Sequence, residues 1–227
     1  MCQDHDNPAN EISIEAGWCL QPILGARRFF STVELMRLYK SLVLSFIESG
    51  VAGYYHAAPS VLDCIDRVQR RFLREANVAD DAALLRFNLA PLAMRRDFAM
   101  LGLLHRVNLG NASRQIVELF SPVGTLPVGE FIGARVRSAT AFHSKQLQDR
   151  VTATSSDQFK RSIFGMVRCY NVLPQDVVDA PTVQLFQRML QDGVKEQVRN
   201  AYPEWQSIFE IGRRYASVLK FQAFFRA

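Results

Sequence analysis

The sequence predicts an all-α fold, and three observations predict it. Apolar residues recur at three- and four-residue steps through Leu35, Leu38, Tyr39, Leu42, Phe46 and Ile47, and again through Val61, Ile65, Val68 and Phe72. That spacing is the period of a helix with one buried face. Capping residues and Gly/Pro breakers punctuate these runs at helix-length intervals, and 48% of the 227 residues are apolar, enough to bury a real core.

Taken in order, residues 1 to about 10 read as a disordered lead. Glu11 to Leu24 reads as an amphipathic helix interrupted by Pro22 and Gly25. Ser31-Thr32 supplies an N-cap, with Glu34 in the first turn of a core-facing helix over Val33 to Glu48. Gly50 to Pro59 breaks the pattern, and Ser60 is the expected cap of the next helix, with Asp63 near the positive end of its dipole. On that helix the apolar residues fall within about 60°, while Arg67, Arg70, Arg71 and Arg74 fall within about 100° on the other side. One face packs and the other presents guanidinium groups.

Two readings of that row stay open. Asp63 with Arg67, and Asp66 with Arg70, are acid-before-base pairs four residues apart, as on an ordinary solvated face. Arg74 has no acid four residues before it, which suits a surface that tracks phosphates.

Asp80-Asp81 opens a further helical segment, and Ala90-Pro91 begins the one after it, with His105 on its apolar side as a structural histidine. Arg114 to Phe120 adds a short helix. The breaker-rich stretch at 121–133 is the expected boundary between two helical subdomains. Beyond it lies a loose basic segment with Arg135, Arg137, His143 and Lys145. Ser155-Ser156-Asp157 then caps a helix through Tyr170, Asn171 to Pro174 stops it, and Asp179 or Thr182 starts the next, whose buried stripe holds Val183, Phe186, Met189 and Leu190. The aromatic tail at 204–227 needs cover, from the domain or from a protein partner.

The net charge of +5 is unevenly placed. Four acids and no base precede Arg27, leaving +9 on the remainder, and Arg outnumbers Lys by 22 to 5. Guanidinium groups fit carboxylate and phosphate forks, so anionic partners are favoured, although genomic base composition produces the same bias. Cys2, Cys19, Cys64 and Cys169 have neither zinc-site nor paired spacing, so reduced thiols are expected. The polar, acidic start does not read as a signal peptide, and no apolar run approaches the roughly 18 residues of a membrane span. The expectation is a soluble, intracellular protein, in the nucleus or the cytoplasm, with no membrane association. A phosphate-binding loop, a His-x-x-x-His pair and a nucleophile elbow are all missing from the sequence, so no cofactor, metal or small-molecule substrate is expected.

Several short motifs occur in a fixed order. They are Leu38-Tyr39-Lys40-Ser41-Leu42-Val43, then Tyr54-Tyr55 with Ala57-Ala58-Pro59, then Leu62 and the Arg67 to Arg74 run. Leu89-Ala90-Pro91-Leu92, Arg95-Arg96-Asp97 and Leu101-Gly102-Leu103-Leu104 follow, and then Arg161-Ser162 and Tyr170-Asn171-Val172-Leu173-Pro174, with Val177-Val178 and Phe186. From Ala16 to Leu190 this ordered set resembles the thumb and post-thumb region of reverse transcriptases encoded by non-LTR retrotransposons.

The resemblance implies a thumb-like helical domain over 27–120, a post-thumb helical subdomain over 134–203 and an aromatic-rich C-terminal helix over 204–227, behind an acidic, partly disordered lead over 1–26. It implies sequence-independent gripping of duplex DNA, duplex RNA or an RNA backbone by Arg67, Arg70, Arg71 and Arg74, with Arg95 and Arg96 extending the track. Members of that family carry an aromatic-Ala-Asp-Asp turn on a palm sheet upstream of the thumb. Here Val78-Ala79-Asp80-Asp81 falls after the arginine helix and lacks flanking strands, so it reads as a helix start. The expectation is a non-catalytic remnant or fragment without a catalytic palm sheet, an enzyme only if a longer upstream frame exists. The alternative is a helical protein-interaction module or a structural fragment without function.

Overall fold

Among residues 8–123, 143–151, 157–209, 221, 224 and 225, which the computed structural model describes, the chain is helical. Its sole extended pairing is an isolated bridge between Pro122 and Leu147. The chain divides into two compact units, one up to Asp97 and one from Phe98.

The first unit is organised by two helices, α1 (Pro8–Gly25) and the later α5 (Pro59–Glu75), which pack on each other. Ser13 Oγ donates to Cys64 O at 3.0 Å near their starts, and Arg27, just past the end of α1, reaches Glu75 at 3.6 Å. The numbering rises together along both helices, so they run parallel. Ala16, Leu20, Ile23 and Leu24 are buried on α1, and Ile65, Val68 and Phe72 on α5. Each large side chain buried in this way contributes roughly 1.5–3 kcal/mol.

Ordered helix thus begins at Pro8, inside the stretch expected as a disordered lead, because its apolar face has α5 to bury against. Pro22 sits within α1 rather than ending it. It lies on the exposed side of the helix, where a carbonyl left without its amide partner can bond to water.

Between these helices the chain forms α2 (Thr32–Leu38), a π-helical turn at Tyr39–Leu44, α3 (Ser45–Ser49) and α4 (Val51–Tyr54). Ser31 caps α2 as expected: its Oγ accepts from Glu34 N, and Glu34 Oε2 accepts from Ser31 N at 2.7 Å. In the π turn Ser45 N–H donates five residues back, to Lys40 O. Tyr39 is fully buried there and stacks on Phe72 of α5, centroids 4.2 Å apart.

Pro59 takes the first helical position of α5 and Ala58 the N-cap, so Ser60 stands inside the helix rather than capping it. Proline is preorganised for that first position, which moves the start two residues earlier, from a cap at Ser60 to one at Ala58. Helix α6 (Asp80–Phe87) holds Asp80 and Asp81 in its first turn, with Ala79 as N-cap, and ends at Asn88 in the left-handed conformation.

Helix α7 (Leu92–Asn108) starts in the first unit and continues into the second. The second unit also contains α8 (Arg114–Val117), α9 (Asp157–Arg161), α10 (Ile163–Asn171), α11 (Gln175–Val178), α12 (Val183–Arg199) and a 3₁₀ turn at Trp205–Ser207. Ser162 caps α10 and splits the helix expected over 157–170 into two, while Thr182 caps α12. Ser155 and Ser156 lie outside the described residues, as do Arg135, Arg137 and most of the expected linker at 121–133.

The motif Tyr170-Asn171-Val172-Leu173-Pro174 knits the second unit. His105, buried as expected, accepts at Nδ1 from the Tyr170 hydroxyl (3.1 Å), donates from Nε2 to Ala180 O (2.9 Å) and stacks on Phe186 at 4.2 Å. His143 donates to Tyr170 O and accepts from Lys145 N. Burial pushes the pKa of both imidazoles down. The Asn171 amide pairs twice with the Leu147 backbone, at 2.8 and 2.6 Å, imitating a strand neighbour.

Trp205, Phe209, Phe221, Phe224 and Phe225 are buried within this unit. Gln197 Nε2 donates to Phe224 O, so these tail aromatics are covered by their own chain.

Candidate nucleic-acid interface

Helix α5 positions the arginine row through its own amphipathicity. Cys64, Ile65, Val68, Gln69, Phe72 and Leu73 are buried, which turns Arg67, Arg70, Arg71 and Arg74 outward, all exposed. The four expected track residues therefore share one solvent face.

Their ion pairing differs from the sequence expectation. Asp63 engages both Arg67, at 3.2 Å, and Arg70. Asp66 is turned away from Arg70 and holds Arg96 by two bonds, Nη1 to Oδ1 at 2.6 Å and Nη2 to Oδ2 at 2.9 Å. With the Gln21 amide oxygen turned toward α5, Arg71 donates to it from Nη1 at 3.0 Å and from Nη2 at 3.2 Å. Arg74 has no ion pair among the described residues. One carboxylate thus serves two of the four guanidinium groups, and at this exposure such pairs are worth at most about 1 kcal/mol, weak enough for phosphates to displace.

Arg96 and Arg95 do not extend the track. Arg96 is only 5% exposed and its bidentate bond to Asp66 is internal. Burial works against its charge, but the Asp66 carboxylate outweighs that and raises its pKa above the ordinary guanidinium value. Arg95 Nε donates to Glu48, on α3. The reason is periodicity: α7 buries the side that carries Arg96 and Asp97, and those charges need partners inside.

Asp97 duly accepts from the Tyr55 hydroxyl at 2.7 Å, and Gln69 donates to Ala90 O at 3.0 Å. Tyr54 donates to Ile47 O at 3.0 Å, and burial raises its pKa to about 12. Lys40 Nζ donates to Phe87 O. Tyr39, Lys40, Tyr54, Tyr55, Ala90, Arg95, Arg96 and Asp97, all from the ordered motifs, thus serve as scaffold beneath the exposed row.

Arg27 and Arg28 are exposed just past the end of α1, and Arg27 is tied to Glu75 beside the last arginine of the row. The sequence gives no sign of this neighbourhood, because nearly fifty residues separate the partners.

Asp80 and Asp81 are exposed in the first turn of a helix, where the dipole favours carboxylates. Among the described residues no group of three or more His, Cys, Asp or Glu side chains could hold a metal, and no helix is long and apolar enough to cross a membrane. Cys19 and Cys169 are free thiols, whereas Cys64 is disulfide-bonded, contrary to the expectation of reduced thiols throughout. Scattered spacing carries no signal for a pairing that only the fold creates.

No family model, curated protein or solved structure matches this chain.

Proposed function

We propose that the chain binds nucleic-acid backbone without reading sequence, through Arg67, Arg70, Arg71 and Arg74, and that this is a gripping role rather than a catalytic one. The observation that carries the reading is the exposure of all four guanidinium groups on the face of α5 opposite its buried stripe. Three features support it: the +9 charge outside the acidic start, the excess of Arg over Lys, and the ordered motifs that resemble a reverse-transcriptase thumb.

Arginine forks on phosphate oxygens give affinity and register without base discrimination. Each phosphate neutralised releases counterions, so affinity falls with salt, by about 0.9 in log–log slope per contact on duplex DNA. Arg95 and Arg96 are left out of the contact set because their charges are spent on Glu48 and Asp66.

The test is anisotropy titration of a labelled duplex at several salt concentrations, comparing the parent chain with Arg70→Glu/Arg71→Glu/Arg74→Glu. The expected result is steeply salt-dependent binding in the parent and loss of at least about tenfold in the triple variant, with a flatter slope. Equal affinity of the two proteins at low salt overturns the proposal.

A further inference from the structure

Next to the arginine row, α1 carries an exposed stripe that its packing leaves uncovered among the described residues. Ile14, Trp18 and Pro22 lie on it, one turn apart, and Trp18 is 70% exposed. The stripe continues past the helix into Arg27-Arg28-Phe29-Phe30, where Phe29 is 84% exposed. Two bonds join this surface to the arginine face of α5: the Gln21 amide with Arg71, and Arg27 with Glu75, the residue after Arg74. Those two bonds set Gln21 level with Arg71 and Arg27 level with Glu75, so along the shared axis Trp18 lies about one turn before Arg71 and Phe29 just past Arg74.

We infer that this surface binds single-stranded nucleic acid, with unpaired bases stacked on Trp18 and Phe29 and phosphates on Arg71, Arg74 and Arg28. The inference rests on the backbone-binding reading above and adds the strandedness of the ligand. Flat rings beside guanidinium groups are the combination single strands use: the rings take any base, because every base has a π-face, and the cations follow the backbone. A duplex, its bases already stacked on one another, has no use for the rings.

Charge favours this occupant over a bilayer. Glu11 and Glu15 share the exposed side of α1 with Trp18, so sinking the stripe into lipid would bury two carboxylates. A single strand can lay its phosphates along Arg71, Arg74 and Arg28 and leave Glu11 and Glu15, toward the start of α1, in water.

The test uses the full chain, a labelled single strand of about 12 nucleotides (unstructured oligo-dT or oligo-U), within the usual site size, and a mixed-sequence duplex of the same length. Trp18→Ala/Phe29→Ala is expected to lose at least about tenfold for the single strand and to keep its duplex affinity, since stacking carries roughly that factor per base. Trp18→Tyr, which retains a ring, is expected to recover most of its share. Single-strand binding is also expected to quench the fluorescence of exposed Trp18, and a Trp18→Phe variant to lose that quench, because Trp205 is buried.

Unchanged single-strand affinity in Trp18→Ala/Phe29→Ala overturns the inference. If the triple arginine variant still loses duplex binding in that case, backbone gripping stands without base stacking; if it does not, both readings fall. A Trp18 blue shift with anionic phosphatidylserine vesicles, together with no oligonucleotide-dependent quench, would assign the stripe to a membrane surface and likewise overturn the inference.

Discussion

Asp66 precedes Arg70 by four residues on α5, yet its carboxylate is committed to Arg96 of α7, through bonds of 2.6 and 2.9 Å. That choice separates the arginines of this chain into two populations. Arg96, with Arg95 on Glu48, fastens α7 within the first unit, and the α5 row keeps one acid, Asp63, between Arg67 and Arg70.

Arg96→Ala should therefore act on stability and leave ligand contacts alone. It strands the Asp66 carboxylate in a largely buried site, and breaking such a pair costs about 3 kcal/mol or more. Urea unfolding should show that loss, and Asp66→Asn/Arg96→Met should recover much of it by removing both charges. Binding by the folded fraction should keep the parent salt slope; a slope flattened by about one would place Arg96 back among the phosphate contacts.

Tyr39→Phe carries the opposite sign. The Tyr39 ring is fully buried and stacked on Phe72, but its hydroxyl has no hydrogen-bond partner among the described residues, and burial raises its pKa well beyond the ordinary phenol value. Removing a buried, unpaired hydroxyl while keeping the ring should stabilise the chain by about 1 kcal/mol, read as a higher urea midpoint at unchanged m-value. Tyr39→Ala, which deletes the stacked ring as well, should cost about 3–5 kcal/mol. A lower midpoint for Tyr39→Phe would mean the hydroxyl is satisfied in solution.

These two sites mark where sequence reading ends. The helical period located α2, α5 and α12, the Ser31–Glu34 cap, the outward turn of the arginine row and the burial of His105, because each is set by residues within a few turns of one another. Pairings between distant residues have no such local signature. Asp66 facing Arg70 is the economical expectation on one helix, and only the approach of α7 redirects it to Arg96.

The parallel contact of α1 with α5 was equally hidden, and with it the placement of Trp18 and Phe29 beside the arginines. The breaker-rich stretch 121–133 reads as the division between units, and most of it lies outside the described residues. Contacts separate the units at Asp97 and Phe98, within a helix that no breaker marks.

The second unit should lose stability on mild acidification. His105 and His143 are buried, and each imidazole has its pKa lowered first by that burial, with the Lys145 charge adding to it. Their ordinary value is 6.5, so above it both folded and unfolded chains are neutral at these rings and the contribution is full. Below it the unfolded chain takes up protons that the folded chain resists, and stability falls by at most about 1.4 kcal/mol per ring per pH unit. Urea midpoints measured from pH 7.5 down to 5.5 should decline accordingly. His105→Gln, which keeps a donor and an acceptor but no titrating ring, should flatten the decline even if it starts lower. An identical pH profile in that variant would remove His105 from the account.

Two glycines should respond to alanine with opposite signs. A Cβ on Gly17, midway along α1, would meet nothing within 4 Å, so Gly17→Ala should raise stability by up to about 1 kcal/mol through helix propensity alone. A Cβ on Gly165, in the first turn of α10, would stand 1.9 Å from the Lys160 carbonyl oxygen. That oxygen is backbone, so no rotamer relieves the clash, and the break at Ser162 between α9 and α10 would have to open. Gly165→Ala should cost about 3 kcal/mol, at the upper end for overpacking. Thermal melts of the two variants beside the parent decide it: a Gly165→Ala midpoint within error of the parent would show that α9 and α10 are not held as close as this carbonyl places them.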